Sequence, residues 1–233
     1  MTTDFFKFED KEYDLPLLYE DPRFTARNVV ILIIGFLIAA AIPYLIPPAG
    51  NGLLKAILIT FPPLLAVVYV FKDDLSNIFR MPKPRDIIIV IIGFMLMLTV
   101  TMMANILGGA LGIASMTPQA INGSPLVVII CALIQLPGEE LIKFIPFIII
   151  VAYLYKSIGR KAAIMVAIII SQILFTLFHI PYGFAIGSLF LHIGFASMVL
   201  PFVYIKSKNL VLCYLIFVSK FMVIYVISLV GMT

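Results

Sequence analysis

Seven long apolar runs leave this chain few folds to adopt. They cover residues 29–46, 53–71, 87–107, 126–155, 162–180, 183–205 and 210–230, and most have the roughly 20 residues that a bilayer core requires of a helix. Lipid cannot serve backbone N–H and C=O groups, so a spanning segment must satisfy them itself. A barrel would show short alternating segments instead. With 63% of its residues hydrophobic and only 12% charged, the chain is expected to be all-α: a polytopic transmembrane helical bundle of about seven spans. The expected location is the cell membrane, as a multi-pass protein with lipid as one partner.

Lys and Arg gather in alternate loops. Arg23 and Arg27 precede the first run, Lys72, Arg80, Lys83 and Arg85 follow the second, Lys156, Arg160 and Lys161 follow the fourth, and Lys206 and Lys208 follow the sixth. The loops between these carry none. The positive-inside rule then places the N-terminus in the cytoplasm. Residues 1–28, with seven acids and four bases, read as a cytoplasmic segment that is mobile or lies at the interface. They do not resemble a cleavable signal peptide. Residues 29–233 form the bundle. The net charge of +4 comes from these topological loops, so no nucleic-acid partner is expected. Cys131 and Cys213 lie in apolar runs and form no metal-type pair.

The fourth run contains two adjacent glutamates, Glu139 and Glu140, directly after Pro137-Gly138. An acid at the centre of a spanning helix costs roughly 2.5–3.5 kcal/mol even on the lenient insertion scale, and like charges side by side add to that. Anchoring a helix needs no such pair, so a functional site is the default reading. About 30 residues is also too long for one upright span, and proline removes a backbone hydrogen bond, so a kink or break is expected at Pro137-Gly138. The other ionisable groups within the runs are Lys143, His179, His192, Lys220 and Lys55. Lys55 lies near a helix end, where it can snorkel. Function is therefore expected in the C-terminal half.

Helical spacing places Gln135, Glu139 and Lys143 on one face. Gln172, Phe175, Thr176 and His179 make a second stripe, and Ser188, His192 and Ala196 a third. Gln135 and Gln172 read as interhelical hydrogen-bonders and Phe175 as packing. A water between a carboxylate and an imidazole can be activated by general-base transfer. Alternatively, Glu and His side chains from several helices could hold a metal that acidifies water.

GEELIKF from Gly138, followed by FTLFH ending at His179, resembles the CPBP intramembrane proteases. These include the type II CAAX prenyl endopeptidases (Rce1-like enzymes) and the Abi group. The family pattern is EExxxR, then FxxxH, then HxxxN on a later helix, and the resembling core spans residues 126–230. The resemblance implies an intramembrane endopeptidase acting on a membrane-associated, CAAX-type protein or peptide. Glu139 would activate water, Glu140 would support it, and His179 would share the water. Lys143 and Phe175 would be supporting residues. The resemblance leaves two options for a cofactor: a divalent metal such as zinc on Glu139, His179 and His192, or none.

Three departures stand out. Phe144 occupies the arginine position, and Lys143, one residue early, is expected to pair with Glu139. The last run has no histidine, with Ser219 and Lys220 in that region. His192 would have to substitute from the sixth run, as the oxyanion stabiliser, with Ala196 in place of the asparagine. Two other readings remain. One is a catalytically degenerate member serving as a scaffold or immunity-type protein, its two glutamates balanced by Lys143 and Lys220. The other is a small transporter, which the lack of internal repeats disfavours.

Overall fold

The computed structural model describes residues 14–18, 21–46, 52–113 and 124–230. Among these residues there is no strand, and seven helical stretches are long and apolar enough to cross a membrane. The helices are α1 (Ala26–Leu45), α2 (Gly52–Val70), α3 (Asp86–Ala110), α4 (Pro125–Ile158), α5 (Arg160–Leu177), the short α6 (Ile186–Leu189), α7 (Val199–Ser207) and α8 (Leu210–Val230). The sixth span is composite: α6 runs into a π-helical segment, Phe190–Phe195, and then into α7. The uncharged loop expected at 47–51 lies outside the described residues, as do residues 114–123 of the one expected at 108–124 and most of the N-terminal segment.

The part of that N-terminal segment which is described does not float. Leu15, Leu17 and Leu18 are buried in the main core with Val70, Phe71 and Ile78. Asp21 fixes the turn by accepting from the Leu17 and Arg23 amides and from the Arg23 guanidinium. Partial burial works against the Asp21 carboxylate, but the Arg23 contacts outweigh it and hold its pKa below the usual value. Arg23 also reaches Asp74 at 2.8 Å, and Arg160 pairs with Asp14 at 2.8 Å. Apolar burial and these pairs anchor a stretch whose charge alone suggests a free tail.

At the centre stands α4, packed on α5, α2, α1 and α8. Its stretch from Gly138 to Ile149 is buried without interruption. The break expected at Pro137-Gly138 is not found, for α4 runs on through both Pro137 and Pro146. Neighbouring helices account for this. Pro137 has no N–H to give the Leu133 carbonyl one turn back, and the Tyr214 hydroxyl on α8 donates to that carbonyl at 3.2 Å. The Thr60 hydroxyl on α2 donates to the next carbonyl, Ile134, at 2.6 Å. Donors on adjacent helices are how proline is tolerated at membrane depth.

Gly138 makes the α2 contact possible. A Cβ there would stand 2.5 Å from Thr60 Oγ1, 2.7 Å from Thr60 Cα and 2.8 Å from the Ile59 carbonyl. Two of these three atoms are backbone, so a rotamer change cannot relieve the clash. Gly138→Ala should therefore cost about 1–3 kcal/mol, the usual range for overpacking. A thermal melt of the purified protein in detergent would read it as a lower midpoint, and an unchanged midpoint would show that α2 and α4 are not in this contact.

Candidate active site

Glu139 and Glu140 occupy neighbouring faces of α4, are only 5% and 4% exposed, and find different partners. Glu140 Oε1 accepts from Lys143 Nζ at 2.5 Å, one helical turn on. This corrects the expected Lys143–Glu139 pair. Spacings of three and four both bring side chains together on a helix, and the surroundings of the ammonium settle the choice. Lys143 Nζ lies 4.5 Å from the Phe175 ring centroid and 4.3 Å from that of Phe217. Two aromatic faces and one carboxylate enclose it, and cation–π contact is strong where water is excluded.

Glu139 is left for other work. Gln135 Nε2 donates to Glu139 Oε1 at 2.7 Å, so Gln135 belongs to the site, and its side chain also meets Tyr182 in the turn after α5. Gln172 does bridge helices, accepting from Ser197 at 2.6 Å. The second oxygen of Glu139, Oε2, lies 4.0 Å from His179 Nε2. That is too far for a direct hydrogen bond.

His179 sits just past the end of α5, where a 3-10 turn, Ile180–Tyr182, follows. Gly183 closes that turn with φ +80°, a left-handed conformation that glycine adopts at little cost. The ring is fixed by its other nitrogen. His179 Nδ1 lies 2.9 Å from the Phe175 carbonyl. A carbonyl can only accept, so Nδ1 is the donor, and in the neutral ring Nε2 is then an acceptor. The edge-on contacts with Phe175 at 4.8 Å and Phe178 at 5.0 Å hold its plane. Phe175 is thus more than packing filler, since its carbonyl sets the histidine tautomer and its ring seats Lys143.

Two acceptors therefore face one another across 4.0 Å, Glu139 Oε2 and His179 Nε2. A water can donate to both at once, and a polar gap beyond 3.5 Å is where a bridging water belongs. Such a water would have a carboxylate on one side as base and an oriented imidazole on the other.

His192 is not part of this arrangement. It lies in the π-helical segment, on the buried face shared with Ser188 and Ala196. Its Nε2 is near Gly108 of α3, 3.4 Å from where a Cβ would stand, and among the described residues has no hydrogen-bond partner. Its charged neighbour is Lys220. Among the described residues no group of three or more His, Cys, Asp or Glu side chains is placed to hold a metal ion. Among the described residues Lys220 makes no ion pair with either glutamate, and the charged groups that sense it are Lys143 and His192.

Lys55 does not snorkel as its place near a helix end predicts; it is 5% exposed, with Nζ 4.1 Å from the centroid of the Tyr182 ring. Tyr182 in turn packs on His179, ring centroids 5.6 Å apart. Lys55 interacts electrostatically with Glu139. The first half of the chain thus supplies a charged group to the site after all. An intramembrane lysine facing a glutamate was visible in the sequence only as a lone charge in an apolar run.

A seven-span bundle with a buried carboxylate set against an imidazole defines a polytopic membrane protein with an acid–imidazole centre. Comparison adds a likeness: residues 121–219 match the model of the type II CAAX prenyl endopeptidase Rce1-like family. That segment carries Glu139, Glu140, Lys143, Phe175, His179 and His192, and ends at Ser219. No curated protein and no solved structure matches the chain. The seven apolar helices are those of a multi-pass membrane protein, and the segment that carries the site is similar to the type II CAAX prenyl endopeptidases.

The ion pair gives a stability test. Lys143→Met would leave the Glu140 carboxylate buried and unpaired, at a cost of about 3–5 kcal/mol, whereas replacing both partners should be far milder. Melting of Lys143→Met and of the Glu140→Gln/Lys143→Met double variant would show it, with the double variant expected to recover most of the loss. Two equally damaged variants would contradict the pairing.

Proposed function

We propose that this protein hydrolyses a peptide bond of a membrane-associated, prenylated CAAX-type substrate, with Glu139 as general base. The observation that carries this reading is the 4.0 Å gap between Glu139 Oε2 and His179 Nε2, two acceptors aimed at one water position. The water gives one proton to the Glu139 carboxylate as its oxygen bonds to the scissile carbonyl carbon. The π pair of that carbonyl moves onto its oxygen. When the tetrahedral intermediate collapses, the pair returns, the C–N bond breaks, and the Glu139 proton goes to the leaving nitrogen. The products are a carboxylic acid and an amine, and the base is restored.

His179 holds the second water hydrogen and so orients a lone pair toward the carbon. Gln135 holds Glu139 in place, leaving Oε2 for the water. Glu140 and Lys143 neutralise one another beside the base and need not exchange protons. None of these steps uses a metal.

Positioned general bases are worth about 10²–10⁴-fold in rate. Glu139→Gln and His179→Ala should each lower cleavage of an internally quenched prenylated CAAX peptide by at least about 10²-fold, with the melting midpoint held near that of the wild type. Wild-type rates in both variants would remove the reading. The placement of His192 away from the site favours one competitor, a degenerate member acting as a scaffold or immunity-type protein. That reading gains if the wild type and Glu139→Gln are equally inert toward the peptide yet equally able to complement a deletion.

A further inference from the structure

Lys55 is a buried cation without a proper partner. It is 5% exposed, and among the described residues it makes no hydrogen bond and no ion pair within 4 Å; its ammonium lies over the Tyr182 ring face. An ammonium has three donors, and a ring face engages only one side of it. Charges at membrane depth are normally paired outright or used. If Lys55 were simply the counter-ion of Glu139, a direct contact would be the cheapest arrangement, as Lys143 makes with Glu140 at 2.5 Å. Lys55 instead stands back from Glu139 while still sensing its charge.

Its setting is specific. The Tyr182 ring has Lys55 Nζ 4.1 Å from its centroid and the His179 ring 5.6 Å away. The same aromatic residue thus seats the cation and braces the histidine. Tyr182 is itself placed by the 3-10 turn that follows His179. Cation, imidazole and carboxylate come from three elements, α2, the turn after α5, and α4.

We propose that Lys55 is the oxyanion-stabilising residue of this site. Its free donors take the carbonyl oxygen of the scissile bond as the π pair moves onto it. No proton need transfer, because the positive charge of the ammonium offsets the new negative charge until the intermediate collapses. The proposal rests on the hydrolytic reading above and adds the group that reading lacks, an electrophile opposite the base. A fixed charge aimed at a developing oxyanion in a dry site is commonly the largest single catalytic contribution.

The test uses the full-length protein in proteoliposomes, as wild type, Lys55→Met, Lys55→Arg and Glu139→Gln. Two readouts are taken: kcat and KM on the quenched prenylated CAAX peptide, and affinity for a matching peptide phosphonate, whose tetrahedral anionic oxygens mimic the intermediate. Melting midpoints check folding. Lys55→Met should lower kcat by about 10²-fold with KM within about threefold, losing one oxyanion donor. It should also lose the wild-type preference for phosphonate over uncleaved peptide, and Lys55→Arg should regain at least part of both.

A Lys55→Met variant with unchanged kcat, or one that raises KM alone and keeps the phosphonate preference, overturns the proposal. A wild type with no phosphonate preference overturns it too. If Glu139→Gln cleaves normally while the phosphonate preference still depends on Lys55, the general-base reading fails and the Lys55 assignment stands.

Discussion

Two carboxylates carried side by side on one buried helix cannot share one compensation, and the bundle supplies two. Glu140 is neutralised by direct contact with Lys143. Glu139 is held by the Gln135 amide and faces a histidine across a gap, with Lys55 at longer range. One glutamate is therefore spent on structure, and the other keeps an oxygen for chemistry. Desolvation makes this division necessary, since an uncompensated charge at this depth would destabilise the fold by several kcal/mol.

The division depends on α4 staying continuous. A break at Pro137 would rotate Glu139 and Glu140 relative to Gln135, which lies before the proline. Tyr214 and Thr60 prevent it by donating to carbonyls that the proline region leaves open. Gly138 lets α2 come close enough for Thr60 to do so, and α2 is also the helix that carries Lys55. The same close approach thus preserves the geometry of the base and delivers a cation to its neighbourhood. The aromatic groups act in the same economical way. Phe175 sets the tautomer of His179 and seats Lys143, and Tyr182 braces His179 and seats Lys55.

Much of this was legible in the sequence. The seven spans followed from apolar length, and the Glu139–His179 centre from helical period together with the GEELIKF and FTLFH motifs. What escaped was decided by packing between helices. Spacing allows Lys143 to reach either glutamate, and only the rings of Phe175 and Phe217 select Glu140. Lys55 lies three residues into α2, where snorkelling is the ordinary outcome, and its burial depends on a turn more than a hundred residues away in sequence. The continuity of α4 was hidden similarly, because the hydroxyls that repair Pro137 belong to α2 and α8. His192 shared its histidine chemistry with the site but not its direction, since the π-helical segment turns it toward α3.

The central claim is that Glu139 and His179 share one water. An experimental structure of the full-length protein in a lipid nanodisc, at a resolution that shows ordered solvent, tests this directly. The account predicts a single solvent peak about 2.6–3.2 Å from both Glu139 Oε2 and His179 Nε2, the range expected of a catalytic hydrogen bond. A direct Glu139–His179 hydrogen bond with no room for solvent, or an apolar side chain filling the gap, would contradict it.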